Sequence, residues 1–231
     1  ATTGKAVLEF AVISTDKGLC GGLNTNLLKK VRVEMAEDSD VVTVGRKLRQ
    51  SLAKTGSKIV SDWKVGDPTQ FSEAKSIGAY LTEQFLSGEY SAVKVAFTNF
   101  ETALTQTPWV SQLLPVEAST LAEKRAYEGI GKDGEVAEIT KDESMLRDYI
   151  FEPSPDGVLE ALLPLYLNYQ VYQMLLEARA SEHSARMVAM KSATDNAENM
   201  IKDLTLEYNK VRQAAITSEV LEITTAMKAM E

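Results

Sequence analysis

Apolar residues recur in alternating three- and four-residue steps from Leu159 to Ala215, almost without interruption. The positions are Leu159, Leu162, Tyr166, Tyr169, Gln173, Leu176, Ala180, His183, Met187, Met190, Thr194, Ala197, Ile201, Leu204, Tyr208, Val211 and Ala215. Only Gln173, His183 and Thr194 among them are clearly polar. A spacing held this long predicts one helix whose narrow apolar seam lies against another helix. At ~1.5 Å per residue such a helix extends on the order of 100 Å, longer than a compact domain is wide. That reach points to transmitting or spanning rather than to enclosing a small molecule. After Ala215 the stripe moves by one residue, to Ile216, Val220, Ile223, Met227 and Met230, which predicts a change of partner surface near residue 216. No other segment of the 231 residues is long enough to cover the seam. Leaving it in water costs about 25 cal/mol per Å². The covering helix is therefore expected from outside these residues.

Ahead of this helix the pattern shortens and alternates. Residues 7–15, Val-Leu-Glu-Phe-Ala-Val-Ile-Ser-Thr, suit a buried strand, and Gly18, Gly21 and Gly22 punctuate the turn after it. Residues 23–37 read as a helix, 40–45 as a strand, 46–55 as a short basic helix and 58–63 as a third strand. An amphipathic helix follows at 69–87 through Phe71, Ala74, Ile77, Leu81 and Phe85, then strands at 91–99 and 108–116. Strands alternating with helices predict an α/β fold, a Rossmann-like and mostly parallel sheet flanked by helices. Residues 117–145, rich in Glu, Lys, Gly and Asp, read as a mobile loop or an inserted hairpin, and 148–153 as a last strand. Ser154 stands where an N-cap belongs, with Pro155 at the first helical position, and Pro164 predicts an early kink. The expected division is an α/β domain over 1–153 and a long coiled-coil helix over 154–231.

Candidate chemistry changes this picture little. The turn Asp16-Lys-Gly-Leu-Cys-Gly-Gly sits between a strand and a helix, where backbone N–H groups could surround a phosphate. Its glycine spacing fits neither dinucleotide nor P-loop signatures, so a packed structural turn is the favoured reading. Cys20, the one cysteine, excludes an internal disulfide and has no histidine near it in sequence. The one histidine, His183, falls on the seam and reads as a polar residue that helps fix register. Glu73, Glu83 and Glu101 read as solvated faces. No catalytic set, metal site or cofactor is expected. The net charge of −8, without a basic cluster interleaved with aromatics, excludes nucleic acid as a partner. No apolar run approaches the ~20 residues of a membrane span, and Ala1-Thr-Thr-Gly-Lys does not read as a signal peptide. Any membrane role would run through partners.

Three stretches resemble one family. They are Ile13-Ser-Thr-Asp-Lys-Gly-Leu-Cys-Gly-Gly-Leu-Asn, then Ser111-Gln-Leu-Leu-Pro, and then Ala185-Arg-Met-Val-Ala-Met-Lys-Ser-Ala-Thr-Asp-Asn-Ala with Tyr208-Asn-Lys-Val-Arg-Gln-Ala-Ala-Ile-Thr-Ser-Glu. The chain is similar there to the γ subunit of F-type ATP synthase, the central-stalk rotor, in its bacterial form. The resemblance implies a non-catalytic subunit that passes torque between the membrane c-ring and the catalytic hexamer of α and β subunits. It implies contacts of Arg186, Gln213 and Thr217 with β-subunit loops. It places Tyr149, Phe151 and Glu152 in a foot that faces the c-ring and the ε subunit. It also implies an apolar tip of Ile216, Val220, Ile223 and Met227 inside the hexamer's collar. The family's N-terminal helix, expected to pair with residues 159–215, has no counterpart in these residues. The implied location is peripheral, on the cytoplasmic face of a bacterial inner membrane, or on the matrix or stroma side in an organelle. A rival reading from the residues alone is a doubly wound nucleotide- or small-ligand-binding domain with a coiled-coil oligomerisation arm.

Overall fold

The computed structural model describes residues 8–36, 39–116 and 154–230. The predicted loop at 117–145 and strand at 148–153 lie outside the described residues. Among the described residues, the strands are β1 (Leu8–Ile13), β2 (Asp40–Val44), β3 (Ile59–Trp63), β4 (Ala92–Phe100) and β5 (Gln106–Leu114). The helices are α1 (Leu23–Glu34), α2 (Arg46–Lys54), α3 (Phe71–Leu86) and α4 (Pro155–Ala229). Each of the first three helices carries the chain from one parallel strand to the next, which a tight turn cannot do.

The sheet order is β3-β2-β1-β4-β5. Strands β1, β2, β3 and β4 run parallel, and β5 returns antiparallel along β4. The link from β4 to β5 is too short for a crossover, so only a hairpin closes it. Strand alternation gives each face its own core. On one face Phe10, Val12, Val41 and Ala96 pack against Leu27 and Val31 of α1 and Leu48 and Leu52 of α2. On the other, Ala11, Ile13, Val42, Val44, Val93, Val95 and Phe97 meet Ala74, Ile77 and Leu81 of α3. Leu167, Val171, Met174 and Leu175 of α4 complete that second core.

Two close approaches explain two glycines. Gly45 has φ +95°, and a Cβ there would lie 2.2 Å from the Ser14 carbonyl oxygen. Gly78 on α3 lies so near α4 that a Cβ would meet Asn168 Oδ1 at 2.6 Å. Glu73 is not merely a solvated side chain as its sequence position indicated. It accepts the backbone N–H of Gly66 at 2.8 Å and of Gln70 at 2.9 Å, which closes the start of α3.

Near the N-terminal end of the central strand β1 one group stands out. Glu9 is fully buried, and neither carboxyl oxygen has a hydrogen-bond partner among the described residues. Asp40 lies opposite it in register on β2. Asp40 Oδ2 accepts Lys58 Nζ at 2.8 Å and the Tyr90 hydroxyl at 2.9 Å. Burial, reinforced by the Asp40 charge, raises the Glu9 pKa to about 7. Burial also raises Tyr90, which hydrogen-bonds the Asp40 carboxylate.

The chain divides into two compact units, Ala1–Met187 and Val188–Glu231. The boundary falls inside α4.

Candidate functional site

Helix α4 starts as its local sequence dictates. Ser154 Oγ accepts the N–H of Gly157 at 3.2 Å, Pro155 opens the first turn, and the helix continues through Pro164. Over residues 159–187 it carries two apolar faces. One is buried on the sheet through Leu167, Val171, Met174 and Leu175. The other is the seam. Leu162 is 54% exposed, Tyr169 56%, Leu176 42% and Met187 60%. At ~100° per residue the two faces point in directions roughly 150° apart. The α/β domain thus holds the helix by its back and leaves most of the seam to solvent, with Tyr166 half-buried against the second core. The seam pattern does not single out this buried face. A signal for it is nonetheless present, because residues 161–178 are apolar nearly all round, as a helix buried on two sides requires.

Near the C-terminal ends of the parallel strands the packing of α4 turns polar. Arg179 Nη2 donates to the carbonyls of Val65 (2.9 Å) and Gly66 (3.1 Å). Ser181 Oγ donates to the Thr98 carbonyl at 3.1 Å and Ser184 Oγ to the Ala103 carbonyl at 2.8 Å. Arg186 Nε donates to the Gly18 carbonyl at 3.3 Å. Between the arginines Glu182, 4% exposed, accepts Arg179 Nη1 at 2.8 Å and Arg186 Nη2 at 2.6 Å. His183, a seam residue, faces Asp67 at 3.3 Å, with both side chains largely exposed.

The turn from Asp16 to Gly22 is closed by its own side chains. Cys20 is buried, and its Sγ accepts the Asn24 amide at 3.4 Å. Asn24 also donates to Thr15 Oγ1 at 2.8 Å. Leu19 adopts φ +64° and is 73% exposed, so the turn presents an apolar tip. The N–H groups opening α2 are taken up within the protein. Arg46 donates to Asp16 Oδ1, Lys47 to the Thr15 carbonyl and Leu48 to Ser14 Oγ. In a nucleotide-binding fold the amides that face phosphate open the helix after the first strand, here α1, where Leu23 donates to the Cys20 carbonyl at 3.3 Å. The cleft beside the start of α2 is lined by Asp16, Thr69, Arg179 and Glu182, each already ion-paired or hydrogen-bonded. Among the described residues no group of His, Cys, Asp and Glu is disposed to hold a metal ion. No described helix is long and apolar enough to cross a membrane.

The second unit is the remainder of α4. Its apolar residues are exposed, including Leu204, Tyr208, Val211, Ile216, Val220, Ile223 and Met227. Gln213 and Thr217 lie one turn apart on it, and Thr217 Oγ1 donates to the Gln213 carbonyl at 2.8 Å. The structure does not bring the predicted site residues together. Arg186 is engaged with Glu182 and Gly18. Gln213, Thr217 and the apolar tip lie in the second unit. Tyr149, Phe151 and Glu152 lie outside the described residues.

An α/β sheet carrying a long helix with an exposed apolar seam has the form of a subunit of a larger assembly. A protein-family model described as ATP synthase matches residues 3–230. The ATP synthase gamma chain of Akkermansia muciniphila is 46% identical over 220 residues, 95% of this chain and 73% of that protein. The gamma chain of Opitutus terrae is 43% identical, over 94% and 72% of the two chains. In fold the chain is similar to a component of the Euglena gracilis mitochondrial ATP synthase, with TM-score 0.69 at 21% identity over 97% of this chain and 73% of that one. A central-stalk chain of the Tetrahymena thermophila enzyme gives TM-score 0.60 at 23% identity, over 84% and 79%. The chain belongs to the ATP synthase family, among its gamma chains. Its function is that of a central-stalk subunit.

Proposed function

We propose that the chain transmits torque between the membrane c-ring and the catalytic αβ hexamer of a proton-translocating F-type ATP synthase, with no bond chemistry of its own. The observation that carries this reading is the two-faced α4, held to the α/β domain on one side and bare along the seam on the other. A helix this exposed gains most of its stability from packing, so a surface outside these residues must receive it. That surface is a helix paired with residues 159–215, together with the inner wall of the hexamer. Arg186, Gln213 and Thr217 meet β-subunit loops, and Ile216, Val220, Ile223 and Met227 form the apolar tip in the hexamer's collar. Tyr149, Phe151 and Glu152 belong to the foot toward the c-ring and the ε subunit. The complex sits peripherally on the cytoplasmic face of a bacterial inner membrane, and this subunit reaches the membrane only through partners.

The nucleotide-binding rival is disfavoured because the glycines of the turn after β1 fit neither dinucleotide nor P-loop spacing, and that turn is closed by its own Thr15, Cys20 and Asn24 side chains. The test is assembly with α and β subunits and measurement of ATP-driven proton pumping. Gln213→Leu is expected to lower pumping severalfold while the α/β domain keeps its melting temperature. Arg186→Ala is expected to lower pumping too, and to lower that melting temperature, because it leaves buried Glu182 with one partner fewer. Unchanged pumping in both variants would retire these contacts. Micromolar nucleotide binding by the isolated chain would instead favour the rival.

A further inference from the structure

We propose that the two helical turns from Arg179 to Arg186 are a polar grip that stops α4 from rolling about its own axis, so that torque passes between helix and α/β domain there. The proposal rests on the central-stalk reading. From Leu167 to Leu175 the helix is held on one side by apolar contacts. Such contacts are non-directional, so a helix held only that way resists a small roll less steeply than one held by aligned hydrogen bonds. The character changes just before Met187, the last residue of the compact unit.

The acceptors in the grip are backbone carbonyls, fixed by the strands and turns they belong to. They come from separate segments: Gly18 after β1, Val65 and Gly66 after β3, Thr98 within β4 and Ala103 after it. At ~100° per residue, Ser181 and Ser184 leave one flank of the helix and Arg179 and Arg186 the opposite flank, with the seam between them. Rolling in either direction pulls one flank's bonds out of line, and hydrogen bonds weaken steeply with misalignment. Glu182 ties the two arginines together from a buried position. A buried ion pair is an inefficient way to gain stability, and apolar residues of similar size often do as well. What the charged group adds here is a fixed rotational register. The seam stays largely open to a partner helix, because the grip closes from both flanks and only the half-exposed His183–Asp67 pair reaches the seam between them.

The experiment uses the assembled complex in sealed vesicles and reads the ratio of proton pumping to ATP hydrolysis. Variants are Arg179→Met and, as a milder second, Ser181→Ala with Ser184→Ala. The control is Val171→Ala on the apolar docking face. Both grip variants are expected to assemble and to pump at least threefold fewer protons per ATP, while Val171→Ala keeps the wild-type ratio. If Arg179→Met fails to assemble, the serine pair decides alone. A wild-type ratio in the grip variants, or an equal loss in Val171→Ala, overturns the grip. A wild-type complex that hydrolyses ATP but pumps nothing overturns the central-stalk reading, and the grip with it.

Discussion

Glu9→Gln should change how stability depends on pH. Glu9 is wholly buried, has no hydrogen-bond partner among the described residues, and faces the Asp40 carboxylate across the β1–β2 ladder. Its pKa is raised from the ordinary 4.5 to about 7. Between those values the folded chain holds a proton that the unfolded chain has released. Stability therefore falls as pH rises through that window, and levels off above about pH 7. A tenfold change in proton affinity is worth about 1.4 kcal/mol, so the whole fall attributable to Glu9 is about 3 kcal/mol. Lys58 and Tyr90 face Asp40, and Tyr80 of α3 is also raised by burial and by the Glu9 charge. The tyrosines remain protonated throughout the window and add no slope. Gln has no charge to lose, so its stability relative to wild type must rise with pH by about that amount, from a starting point lowered at every pH by about 1 kcal/mol for a poorly paired amide. Denaturant unfolding of both proteins at pH 5, 6, 7 and 8, followed by tryptophan fluorescence, gives the difference with other titrations cancelled. A difference flat across this range, or one that falls with pH, would refute the reasoning.

Other expectations follow from the packing. Met174→Ala, on the buried face of α4, should cost about 2–5 kcal/mol in the isolated chain. Leu176→Ala, on the open seam, should cost about 0.5 kcal/mol there yet weaken recovery with α and β subunits; thermal melts and co-purification read the two effects. Gly45→Ala meets both a left-handed φ and the Ser14 carbonyl, and calorimetry should show a loss of at least about 2 kcal/mol.

Much of this architecture is written in the chain's periodicity. Apolar runs such as Phe10 to Ile13 and Val41 to Val44 announce strands buried on both faces, and the helices between them force parallel order. The five-residue link at 101–105 also carries the information that β5 turns back, since a crossover needs at least about ten residues. The seam is legible because a 3-4 repeat over so many turns has few competing explanations. The second face of α4 is hidden by the first. Once one stripe explains a helix, a shorter stripe at Leu167, Val171 and Met174 reads as noise. The polar grip leaves almost no trace in sequence. Its acceptors are main-chain carbonyls, and Arg186 finds Gly18 across a separation of 168 residues. No residue type marks a carbonyl that the fold alone brings into reach.

The rotor claim meets its most direct test in single-molecule rotation. A Lys54→Cys variant offers an exposed thiol on the α/β domain, while the native Cys20 is buried. With the αβ hexamer fixed to a surface and a bead on that thiol, added ATP should turn the bead steadily in one direction. A bead that stays still while the same complexes hydrolyse ATP would contradict the account.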